Sequence, residues 1–245
     1  MHCASSLRRP KADLAAVLFA LVFPSLFTWG YFVGLARFPV AWQQVCYMLG
    51  KTIQFALPAV WVWGVQGRRL RSVWPGRAGV REGLAFGLAI FALALTLYHA
   101  WIKPAGWFSP LGPRVADKVA GFGVTGFWSF AALGAFYSVF HSLLEEYYWR
   151  WFVFGQLGQY LPWQAALALS SVGFMAHHVI VLGTYFGWLS PATYMFSLAV
   201  AVGGAFWAWL YQTSRSLAGP WLSHLWIDAA IFAVGYDLVR PWLIR

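Results

Sequence analysis

Residues 141–150 read His-Ser-Leu-Leu-Glu-Glu-Tyr-Tyr-Trp-Arg. Two adjacent carboxylates, Glu145 and Glu146, sit here within a run of Phe, Leu, Tyr and Trp. The chain has 245 residues, of which 61% are hydrophobic and only seven are Asp or Glu. A carboxylate at membrane depth costs about 2.5–3.5 kcal/mol on insertion scales. Two placed side by side, with Arg150 four residues beyond the second, point to chemistry or to transport rather than to packing.

Composition defines the setting of that pair. Charged residues make up 10% of the chain, against about 25% in an ordinary soluble domain, and the mean hydropathy is +0.63. Such a chain is an integral membrane protein without a soluble module. A β-barrel would show segments of ~10 residues alternating apolar and polar. The apolar runs here are long and continuous, as helices in lipid require. The expected fold is all-α, a polytopic transmembrane helix bundle of about seven spans, with six to eight as the range.

The net charge of +10 comes from basic residues clustered between apolar runs. That pattern speaks for membrane topology and anionic headgroups, not for nucleic acid. Cys3 lies in the basic tail and Cys46 in an apolar run, so neither a disulfide nor a thiolate metal site is expected. The Trp and Tyr residues suit interfacial belts.

A basic cytoplasmic tail, 1–12, carries Arg8, Arg9 and Lys11. N-terminal spans follow within 13–125, at about 13–36, 40–65 and 83–103. The first is too long for a signal peptide and is read as uncleaved. Lys51 in the second snorkels and Pro58 kinks it. The loop 66–81 holds Arg68, Arg69, Arg71, Arg77 and Arg81. It lies two spans from the basic tail, so both are on one side, and the positive-inside rule makes that side cytoplasmic. The polar stretch 104–125, with Arg114, Asp117 and Lys118, is then extracytoplasmic.

The region 126–245 holds the remaining spans. The first, 126–159, would reach about 50 Å at ~1.5 Å per residue, more than the ~30 Å hydrocarbon core. It must tilt, protrude or break near Gly155 or Gly158. Further spans are read at 163–186, 192–212 and 218–239, with a turn at 187–191 and a cytoplasmic loop at Arg215.

Three of these spans carry titratable groups: Glu145, Glu146 and Arg150, with His141 nearby; His177 and His178; His224 and Asp228. Helices that bury polar residues turn them toward one another rather than to lipid. Glu146 and Arg150 share a face and can pair. Glu145, about 100° away, stacks over His141 and is left to act as a base. His224 and Asp228 are four apart, so the carboxylate can orient the imidazole. Each group also has a purely structural reading. Glu146 with Arg150 makes an ion pair, Glu145 a second buried partner, and His178 a packed core histidine. His224 with Asp228 makes a packing hydrogen bond, and His141 and His177 fill space.

The set resembles the three motifs of the CPBP family, which includes the type II CAAX prenyl endopeptidases and the bacterial Abi proteins. Glu145, Glu146 and Arg150 match Glu-Glu-x-x-x-Arg. Phe174 and His178 match Phe-x-x-x-His, with Ser170 and Ser171 just before, and His224 and Asp228 match His-x-x-x-Asn or Asp. The resemblance covers about 126–239. It implies an intramembrane endopeptidase in the bacterial inner membrane, acting on a membrane-associated protein or peptide. Glu145 and His178 would activate a water, while His224 and Asp228 would stabilise the oxyanion or position the water. Glu146, Arg150 and Phe174 would be supporting residues. Ionised Asp cannot donate to an oxyanion where Asn can, so Asp228 is better suited to orienting His224. Glu145, His178 and His224 are also candidate zinc ligands, but no His-Glu-x-x-His is present, and a metal-free glutamate mechanism is preferred. Two other classes remain open. A transporter or proton relay would use intramembrane Glu and His but favours inverted repeats, which the sequence lacks. A non-catalytic immunity or scaffold protein leaves the histidines on two further spans unexplained.

Overall fold

In a computed structural model of the chain, residues 10–68 and 76–243 are described. Cys3, Arg8 and Arg9 of the basic tail, and Arg69 and Arg71 of the basic loop, lie outside them. All regular structure among the described residues is helical. Seven helices are long and apolar enough to cross a membrane: α1 Lys11–Gly34, α2 Val40–Val65, α3 Val80–Ile102, α5 Phe127–Leu157, α6 Trp163–Phe186, α7 Pro191–Ser214 and α8 Ala218–Leu243. They fall within a few residues of the expected spans. A short amphipathic helix, α4 Gly112–Ala120, occupies part of the polar stretch between α3 and α5.

Local chemistry sets the helix ends. The turn at 187–191 forms because Gly187 takes φ 97°, a left-handed conformation open to glycine. Ser190 then caps α7, its hydroxyl accepting from the Ala192 amide at 3.3 Å, and Pro191 stands at the first helical position. The expected stress on α5 is not relieved by a break. The helix runs unbroken for 31 residues and ends at Gly158. Two of its stretches, Tyr137–His141 and Tyr147–Phe154, are π-helical. They flank the α-helical turn Ser142–Glu146 that bears both glutamates.

The chain divides into two compact units, one within Met1–Pro75 and Tyr147–Leu217, the other within Gly76–Glu146 and Ala218–Arg245. In the first, α1 packs on α6 and α6 on α7. The Tyr148 hydroxyl donates to the Ala20 carbonyl at 2.8 Å. At one end of α1 the buried Asp13 carboxylate accepts from the Trp61 indole and the Gln66 amide, both at 2.8 Å. These bonds satisfy a charge that burial would otherwise penalise.

In the second unit α3 lies along α8. Gly83 and Gly87 make the close approach possible. A Cβ at Gly83 would collide with the Gly219 backbone, and one at Gly87 would stand 2.8 Å from the Ser223 Cα. Backbone-to-backbone contact through small residues spaced by four is how helices associate where lipid removes the hydrophobic drive. His224 follows Ser223 and so points about 100° away from this seam. The α3 contact thereby sets the rotation of α8 that His224 depends on. The Trp221 indole donates to the Val139 carbonyl at 2.8 Å and ties α8 to α5. A small core of Ala116, Val119, Val124, Phe130, Val239 and Leu243 fastens α4 to the same pair.

Gly87→Leu should therefore lower the midpoint of thermal unfolding in detergent. Overpacking costs about 1–3 kcal/mol, and the obstacle here is backbone that cannot rotate away. Gly64→Leu, where an added Cβ meets nothing within 4 Å, should leave the midpoint unchanged. Equal midpoints for the two variants would refute the seam.

Candidate active site

The π-helical stretches of α5 present Glu145 and Glu146 toward α8 from one α-helical turn. Wide turns of this kind recur at functional sites. Both carboxylates and the His224 imidazole are out of water, with Glu145 4% exposed, Glu146 0% and His224 5%. Groups so buried must satisfy one another. His224 Nδ1 lies 2.8 Å from Glu146 Oε1. An ionised carboxylate only accepts, so Nδ1 carries a hydrogen; Nε2 accepts in the neutral ring and donates when the ring is protonated.

Nε2 faces two more carboxylates. Glu145 Oε2 is 3.8 Å away and Asp228 Oδ1 is 3.6 Å away. The other oxygen of Glu145, Oε1, stands 3.9 Å from Nε2 of His141, as their i,i+4 spacing led one to expect. These separations are ion-pair distances, longer than a direct hydrogen bond. The His141 ring packs against Tyr137 at 4.8 Å, and Tyr137 against Phe232 at 5.5 Å. Below it, Ser142 Oγ donates to the Ser138 carbonyl at 2.5 Å, wholly buried.

The geometry changes one expected role. The spacing of His224 and Asp228 had suggested that Asp228 orients the imidazole. His224 Nδ1 donates its short hydrogen bond to Glu146 instead, and Asp228 stands near the opposite nitrogen. An i,i+4 neighbour lies alongside the ring on its own helix, whereas Glu146 reaches Nδ1 from α5.

The first unit holds the other motif residues. Arg150 is 2% exposed. Its guanidinium lies 4.7 Å from the Phe174 ring centre and 4.9 Å from that of Trp207. Nη2 donates to the Gly204 carbonyl at 3.4 Å. Two ring faces and a carbonyl thus stabilise a cation taken out of water. A Cβ at Gly204 would stand 3.3 Å from Phe174 and 3.4 Å from Arg150, so glycine leaves room for this cage. His178 Nδ1 donates to the Phe174 carbonyl at 2.9 Å, which makes Nε2 its acceptor nitrogen. The two rings meet edge to face at 4.7 Å. His177 is buried and stacks flat on Trp149, 5.7 Å apart with 5° between planes. The hydroxyls of Ser170 and Ser171 donate back to the Leu167 carbonyl at 3.1 and 2.7 Å.

The second unit thus gathers Glu145, Glu146, His224 and Asp228, with His141 beside them. The first gathers Arg150, Phe174 and His178. Sequence reasoning passed over Gly204 and Trp207, which hold Arg150, and Trp221 and the Gly83/Gly87 pair, which hold α8. The glycines at spacing four were legible as a contact face; the two Trp were not separable from the other fifteen in the chain. Among the described residues no group of three or more His, Cys, Asp and Glu could hold a metal ion. The Nδ1 bond of His224 to Glu146 leaves Nε2 as its ring nitrogen open to a ligand; Glu145 and His224 lie in the second unit and His178 in the first.

Residues 127–230 match the family model described as type II CAAX prenyl endopeptidase Rce1-like. The matched stretch opens on α5 and closes inside α8, so it contains every motif residue named above. No curated protein and no solved structure matches the chain significantly. With its seven apolar helices, the chain is an integral multi-pass membrane protein whose residues 127–230 are similar to the Rce1-like type II CAAX prenyl endopeptidases.

Proposed function

We propose that the chain is a glutamate-dependent intramembrane endopeptidase in which Glu145 is the general base. The observation that carries this reading is the placement of Glu145 Oε2 and Asp228 Oδ1 at 3.8 and 3.6 Å from the same nitrogen, Nε2 of His224. In this reading one water bonds to Glu145 and Asp228 beside that nitrogen, the contacts being longer than direct hydrogen bonds. Glu145 takes a proton from that water, and the hydroxide attacks the scissile carbonyl carbon. His224, held at Nδ1 by Glu146, donates from Nε2 in its protonated form to the developing oxyanion. Glu145 then returns the proton to the leaving amine as the carbon–nitrogen bond breaks. A low-dielectric site strengthens each of these interactions over its value in water.

His178 is assigned as the second group on the water from the order of the motifs. Its Nδ1 bond to the Phe174 carbonyl supports this, because it leaves Nε2 as a proton acceptor. Arg150 supports the site by fixing the end of α5 between Phe174 and Trp207. The substrate is a membrane-associated protein or peptide, prenylated or not, and matched peptides with and without a prenyl group decide which. The basic loop supports a cytoplasmic N-terminus, and residence in the bacterial inner membrane rests on the family resemblance alone.

General acid–base groups contribute about 10²–10⁴-fold in rate. Glu145→Gln, reconstituted in liposomes and shown to insert normally, should lose cleavage of a membrane-bound reporter peptide by a factor in that range. His178→Ala should lose a comparable factor, and the double variant little more than either alone, since the two act on one water. Near-normal cleavage by Glu145→Gln would sink the assignment of the base, and fully additive losses would separate His178 from it.

A metal-free mechanism has its own consequence. Prolonged treatment with a zinc chelator, followed by removal of the chelator, should leave the cleavage rate within about twofold of the untreated enzyme, well short of the 10²-fold that loss of a catalytic group would bring. Loss of activity restored by added zinc would require the catalytic carboxylate to be read as a ligand instead.

A further inference from the structure

A second polar assembly lies at the far end of the α3–α8 seam from Gly83, remote in sequence from the glutamates. The Asp237 carboxylate, 15% exposed, binds Lys103 Nζ through Oδ2 at 2.6 Å and faces Arg240 Nη2 through Oδ1 at 3.3 Å. The Tyr98 hydroxyl also donates to Oδ2, at 2.8 Å. The carboxylate is sunk between the helices while both cations stay open, with side chains 44% and 54% exposed. Lys103 stands just past the end of α3, and Arg240 three residues before the end of α8. The two helix ends share one membrane face, as the four crossings from α5 to α8 require. Trp101 and Trp107 pack against each other at 5.0 Å and remain 57% and 48% exposed. Exposed indoles beside Lys and Arg at helix ends mark the headgroup level of a bilayer.

Here one carboxylate orders two cations, and the sum is a single positive charge. Lys keeps two of its three donors and Arg most of its five, all at the depth of lipid phosphates. Arg and Lys presented together in this way suit a phosphate monoanion. We propose that Lys103 and Arg240, pre-ordered by Asp237, form a binding site for the phosphate of an anionic phospholipid at this face of the membrane. The aromatic pair would flank the upper acyl chains. The site goes beyond the peptidase reading and does not depend on it.

The test uses the full chain in nanodiscs of neutral phosphatidylcholine, doped with phosphatidylglycerol, and reads the midpoint of thermal unfolding. Doping should raise the midpoint of the unaltered chain. The double variant Lys103→Gln, Arg240→Gln should lose most of that rise. A charge-matched control, Arg37→Gln with Arg81→Gln, both at exposed positions, should keep it. The swap Lys103→Arg with Arg240→Lys also preserves charge and should retain most of the rise, which separates lipid binding from damage to the Asp237 tie. The proposal falls if the control loses as much as the double variant, or if the double variant keeps the rise. It also falls if free inorganic phosphate in neutral nanodiscs raises the midpoint equally, since the site would then take phosphate and not lipid.

Discussion

The hydrogen bond from His224 Nδ1 to Glu146, 2.8 Å long and sealed from water, is the interaction on which the buried polar cluster rests. It fixes the tautomer of the imidazole and turns Nε2 toward Glu145 and Asp228. Without it the ring could rotate, and a carboxylate with no exposed surface would lose a direct partner in the second unit, a loss worth several kcal/mol in a buried pair. Its length leaves little play between the turn at Glu146 and the rotation of α8.

The packing around it reads as the means of removing that play. Small residues let α3 touch the backbone of α8 one residue before His224, and the Trp221 indole pins α8 to α5 three residues before it. Gly134 admits the Phe232 ring, which would otherwise stand 3.1–3.3 Å from an added Cβ. Phe232 in turn backs Tyr137, and Tyr137 backs His141. Apolar packing, backbone contact and one indole bond thus converge on positions close in sequence to the two glutamates and His224. A site built on rigid helices in this way holds its geometry better than one carried on loops.

Much of this was legible before any coordinates. Apolar runs gave the spans to within a few residues, because lipid forces every backbone group into a helix. The rarity of carboxylates singled out Glu145, Glu146 and Asp228, and the i,i+4 rule foresaw the approach of His141 to Glu145. The partner of His224 was not legible. Spacing along one helix names which residues can meet on that helix, but Glu146 arrives from another, and its angle depends on π-helical turns that periodicity at 3.6 residues does not show. The cage around Arg150 was hidden for a similar reason. Trp207 and Gly204 lie on α7, where the sequence offers apolar residues throughout and no polar marker to choose among them. The tie between Asp237, Lys103 and Tyr98 was not legible either, because Tyr98 and Lys103 stand at the end of α3 and Asp237 on α8, far apart in sequence.

Adjacent glutamates pose a geometric problem that the imidazole resolves. Successive residues on a helix point about 100° apart, so two neighbouring carboxylates cannot converge on one atom without distorting the backbone. They can converge on one ring. An imidazole carries its nitrogens on different edges, and His224 offers Nδ1 to Glu146 and Nε2 to Glu145. One carboxylate becomes the fixed partner because it is close and directly hydrogen-bonded. The other stays a longer 3.8 Å away, beyond direct hydrogen-bond distance. In the proposed mechanism the same pair of residues thereby supplies one structural and one reactive acid. What separates their roles is the edge of the histidine each one meets, and not the identity of the side chain.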